Sequence, residues 1–194
     1  MQPKYYGAAA TYNAQQKGPS TPMGRILMLV GLAVGVIIIL AILLTAVSSL
    51  TKGPSDDFAR LTARESNLKD LLKKQQNNIQ RDDLKTVNAT AQAIIASDAA
   101  SLSTQLKDAF GVDGVPDAIA QAETDSTTDN TLKSAQLAAT FDHVYVGVIR
   151  DKISAAYNLA NDLYKRTNGK PQQVVKQVMQ NLTALDTQFA NLNL

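Results

Sequence analysis

Apolar positions follow two patterns along this chain, one continuous and one periodic. From Ile26 to Leu50 the sequence ILMLVGLAVGVIIILAILLTAVSSL holds no charged residue in 25 positions. As a helix rising about 1.5 Å per residue it is roughly 37 Å long, enough to cross a hydrocarbon core of about 30 Å. After residue 50 the apolar residues recur at helical spacing instead. Phe58, Leu61, Leu68, Leu72 and Ile79 share one face of a helix over about 56–80, with Glu65 interrupting the stripe. Leu84, Val87, Ala91, Ile94, Ile95, Leu102 and Leu106 line a second over about 82–110, which Gly111 stops.

Two further helices complete the pattern. Leu132, Ala139, Val146, Ile149, Ile153, Ala156, Ala160 and Leu163 predict a long one over about 131–167, closed by Asn168 and Gly169. Pro171 opens the last, over about 171–193. Its Val175, Val178, Leu182, Leu185, Phe189 and Leu192 are spaced 3, 4, 3, 4, 3, the seam of a helix that packs against others. The segment 111–130 is a connection, with one short helix expected from Pro116. No stretch alternates with period two for long enough to suggest a sheet. The expected fold is therefore all-α: a basic, disordered tail over 1–25, a transmembrane helix over 26–50, an exit turn over 51–55 and an antiparallel four-helix bundle over 56–194. Up-down-up-down order would gather Phe58, Phe110, Phe141 and Phe189 at the end of the bundle nearest the membrane.

Charge separates the same regions. The tail carries Lys4, Lys17 and Arg25 and no acid, leaving 16 of the 19 basic residues and all 17 acids beyond the span. A body so nearly neutral lacks the dense positive face that nucleic-acid binding requires, and no nucleic-acid partner is expected. The acid-free tail and the Asn-, Gln-, Ser- and Thr-rich body favour a single-pass protein of the cell membrane with a cytoplasmic N-terminus and an extracytoplasmic domain. A cleaved signal peptide is the weaker reading, because its apolar core is usually about 7 to 15 residues. Gly31 and Gly35 form a GxxxG in the span and are the candidate helix–helix contact for a homodimer.

Chemistry is sparse. There is no cysteine, and the single histidine is His143, so neither a thiol nor a histidine pair is available to a metal or a nucleophile. The helix count and the long connection resemble ferritin-like di-iron bundles in shape. Those sites need Glu-x-x-His, and neither Glu65 nor Glu123 has a histidine three residues on, so no iron chemistry is implied. Asp125 and Asp129 around Thr127 lack the glycine and closing Glu of a calcium loop. No catalytic, cofactor-binding or metal residue is nominated, and an enzyme is not expected. Tyr157 and Tyr164, seven apart on one helix face, are the candidate partner or ligand face, against a plainer reading as packing at the core edge. The expected role is a non-enzymatic interaction or structural one at the envelope, with the lipid bilayer and a protein as partners. The alternative is a sensory or ligand-binding bundle acting through a partner.

Overall fold

Gly53 in extended conformation and Pro54 in the first turn open helix α1, Pro54–Gln75, two residues ahead of the start expected near 56. The structure, a computed structural model, describes residues 53–192, and there the chain is all-helical with no strand among the described residues. A short 3-10 turn at Gln76–Asn78 and an extended Ile79 replace the expected last turn of the helix. Helix α2 spans Asp82–Phe110 and ends at Gly111, whose φ of 68° is the left-handed cap for which glycine is suited. Short helix α3, Asp117–Ala122, follows Pro116 as expected.

The long third helix is a correction. Two helices stand in its place, α4 at Thr127–Leu137 and α5 at Phe141–Arg166, followed by α6 at Gly169–Ala190. The break at 138–140 contains neither Gly nor Pro, and it turns on Ala139, the one non-glycine residue with positive φ (55°) among the described residues. Ala139 is accordingly exposed and is not part of the core stripe. A left-handed alanine is strained, so Ala139→Gly is expected to stabilise the bundle by roughly 0.5–1 kcal/mol, measurable by urea unfolding. A loss of stability on that change would contradict the strain.

The break changes the topology. The segment from α3 to α4 runs along the whole of α1: Glu123 meets Arg64 and Arg60, Asp129 meets Lys74 at 2.7 Å, and Gln136 donates to Asn78. It is a crossover, which carries the chain to the far end before α5 begins. There the Asp142 carboxylate accepts the backbone N–H of Gln80 and of Arg81, at 3.1 and 3.0 Å. Helix α5 then returns beside α1, so that Arg64 reaches the Ala155 carbonyl and Arg166 pairs with Asp57. Each long helix packs on two antiparallel neighbours: α1 on α2 and α5, and α6 on α2 and α5.

The four phenylalanines are consequently divided between the two ends, which overturns their expected clustering. Phe58 and Phe110 lie with ring centroids 5.2 Å apart at the end where α1 begins. Phe141 stacks on Tyr145 at 5.5 Å at the other end, and Asp186, one turn before Phe189, pairs with Arg150 near the start of α5. The remaining stripes are buried as their periods require. Leu61, Leu72, Leu84, Ile95, Leu102, Ile149, Leu163, Leu182, Leu185 and Phe189 are fully enclosed, each contributing about 1.5–3 kcal/mol through removal from water. Deep in this core the Tyr145 hydroxyl donates to Asn88 Oδ1 at 2.5 Å, and Asn88 Nδ2 donates to the Leu72 carbonyl at 3.2 Å. That chain ties α5 to α2 and α2 to α1, and burial pushes the Tyr145 phenol well above its usual range.

Candidate functional site

The unusual feature of the core is a pair of acids at seam positions. On α1, Glu65 continues the 3, 4, 3, 4 spacing of Phe58, Leu61, Leu68 and Leu72, so its carboxyl is delivered to the interior. Asp98 does the same on α2 among Ala91, Ile95 and Leu102. Glu65 is fully enclosed, and neither carboxyl oxygen has a hydrogen-bond partner among the described residues. Asp98 is 3% exposed; its Oδ1 accepts from Asn181 Nδ2 on α6 at 2.7 Å, while Oδ2 has no partner among the described residues.

Burial raises both acids. The Glu65 carboxyl stands well above the usual range, first because it is removed from water and then because Asp98 is a like charge nearby. Burial lifts Asp98 to about 6, and the Asn181 amide partly offsets it. Burial thus favours the protonated form of both acids, and Asp98 adds to the effect at Glu65.

Asp98 also lines an open groove of about 350 Å³ between α2 and α6. Ser101 and Gln105 continue the α2 wall. Gln173, Gln177, Val174 and Val178 line the α6 wall, with Lys170 at its far end. Sequence reasoning noted Glu65 only as a flaw in a stripe and did not single out Asp98. The available signal was their seam register, because an acid at such a position is carried inward with its neighbours.

The residues nominated from the sequence fare differently. Tyr157 and Tyr164 are brought together in a second open groove of about 290 Å³, between α5 and α6, with Met179, Lys176, Gln180 and Thr183. Both rings are partly buried against the core, so the face and the edge-packing reading describe the same residues. Gly31, Gly35 and the whole 26–50 stretch lie outside the described residues. Among those described, no helix is long and apolar enough to cross a membrane. His143 is exposed on the first turn of α5.

Asp125 and Asp129 point to separate partners. Asp125 accepts the Thr127 backbone N–H and both the Thr127 and Thr128 hydroxyls at the start of α4, and pairs with Lys152 at 2.9 Å. Burial raises its pKa, but the Thr128 hydroxyl, Lys152 and the Thr127 contacts outweigh that effect and hold the carboxyl well below its usual range. Asp129 is taken by Lys74. No group of three metal-ligating side chains occurs among the described residues. Leu137 is the single large apolar side chain that is exposed among them.

Fold and site together define an all-helical bundle with one long crossover, a buried acid pair at its centre and two open grooves along α6. Compared with protein-family models, with curated proteins and with solved structures, the chain matches none.

Proposed function

We propose that this chain is a single-pass membrane protein that holds its helical bundle outside the membrane, where the bundle serves a non-enzymatic interaction or structural role. The observation that carries the reading is the uncharged stretch Ile26–Leu50, followed within three residues by the helix start at Gly53 and Pro54. The bundle that follows closes its core with its own side chains, from Phe58 to Phe189. Such a unit needs no apolar segment from elsewhere, which frees the 26–50 stretch to act as an anchor. In the span, Gly31 and Gly35 are the proposed homodimer contact. Tyr157 and Tyr164, already gathered in a groove with Met179, form the proposed partner face.

Membrane fractionation of the full chain tests the anchor. Extraction by detergent and retention after an alkaline carbonate wash are expected; release by carbonate alone rejects it. Protease added to intact cells or spheroplasts is expected to degrade the bundle, and protection until lysis rejects the external placement. A second reading, a ligand-binding bundle acting through a partner, is favoured by the groove lined by Asp98, a carboxylate with one oxygen unpartnered among the described residues.

A further inference from the structure

We propose that the groove between α2 and α6 binds a small organic monocation, an amine whose ammonium group pairs with Asp98 and whose tail lies along α6. The inference goes beyond the anchored role and does not depend on it. Failed membrane retention would leave it standing, and failure to bind amines would leave the anchor standing.

The charge of the site selects the charge of the ligand. Asp98 lines the groove, whereas Glu65 is enclosed in the core and does not, so the groove presents a single carboxylate. A divalent metal ion would need further ligands, and no group of three metal-ligating side chains occurs among the described residues. An ammonium group needs less: one carboxylate and a few amide or hydroxyl acceptors. Asp98 Oδ2 has no partner among the described residues, its side chain is almost entirely buried, and Ser101, Gln173 and Gln177 supply neutral acceptors along the groove. Asn181 already holds the other carboxylate oxygen, which fixes the group in place.

The walls select the tail. Val174 and Val178 offer an apolar strip for methylene groups, and the volume of about 350 Å³ lies at the lower end of small-molecule sites. Lys170 stands at the opposite end of the groove, 11 residues before Asn181 on the same helix, or roughly 16 Å along its axis. A short alkyl tail ends well before that charge, so the ligand class is a monoamine with an apolar tail.

Isothermal titration of the full chain in detergent micelles with n-hexylamine tests this. Saturable binding is expected. Asp98→Asn is expected to weaken hexylamine at least about tenfold, the loss of one charge-assisted contact. Should Asp98→Asn fail to fold, Val174→Trp fills the groove from its partly exposed wall and is expected to abolish binding. Absence of saturable amine binding, or equal hexylamine affinity in a folded Asp98→Asn protein or in Val174→Trp, overturns the proposal.

Discussion

Replacing Glu65 by Leu is expected to stabilise the bundle by about 3 kcal/mol at pH 8. A buried carboxyl without hydrogen bonds forgoes what it had in water, and its raised pKa adds a cost that grows as pH rises above the unfolded value. Leucine removes both costs at a similar volume, among neighbours that are already Leu61, Leu68 and Leu72. Glu65→Gln removes only the proton and should give a smaller gain.

The sign of the pH dependence follows from the same two acids. Their folded pKa values lie above the unfolded ones, so the folded state binds more protons. Their stabilising effect is complete below the unfolded values and is lost as pH rises, for Asp98 between 3.8 and about 6 and for Glu65 over a range beginning at 4.5. Asp125 acts in the opposite sense: its folded pKa is depressed, so its contribution is present above 3.8 and is lost as pH falls. Maximum stability is therefore expected at roughly pH 4 to 5, with a decline toward pH 8 that Glu65→Leu reduces. Urea unfolding followed by circular dichroism across that range checks both statements. A wild-type chain that grows steadily more stable from pH 5 to 8, or a Leu variant no more stable than the parent at pH 8, would falsify this account of the pair.

The second large effect is expected at the crossover. Glu123 has a side chain only 6% exposed, accepts from Arg64 Nε at 2.7 Å and lies 3.5 Å from Arg60 Nε, while its carbonyl accepts from Asn67. Glu123→Ala takes the carboxylate away from two guanidinium groups that are themselves largely buried. That is expected to cost about 3 kcal/mol, near the low end for breaking a buried pair, because Arg64 keeps some access to water. The damage should be local first. Hydrogen exchange is expected to show the amides of α3 and α4 losing protection ahead of the four long helices. A loss below about 1 kcal/mol, or protection falling evenly across the molecule, would remove the clamp from the account.

Much of the helical framework was legible because core periodicity and stop signals coincide. Helix α2 matches its expected bounds, 82–110, because an apolar stripe ends at a glycine that takes the left-handed cap. The α6 seam is buried from Val175 to Phe189. The break at 138–140 was not legible, because alanine and threonine carry no stop signal and tertiary contacts hold Ala139 at positive φ. Missing that break reversed the direction of α5 and with it the placement of Phe141 and Phe189. The acid pair was half legible. Register alone places Glu65 and Asp98 inward, but which seam acids share a level depends on how the helices pair, and one sequence does not state that. The two tyrosines share a groove because their seven-residue spacing returns to the same helix face, as expected.

The crossover also sets where the chain leaves the bundle. Four passes in simple alternation would return it to the end at which it entered; the stretch along α1 adds a fifth, and an odd number of passes ends on the opposite side. Helix α6 runs parallel to α1 and finishes beyond Asp186, level with the start of α5. A 22-residue helix is roughly 33 Å long, so whatever engages the Ala190 end is held at about that standoff from Gly53. Gly53 and Ala190 therefore lie at opposite ends of the bundle, and their separation is set by helix length.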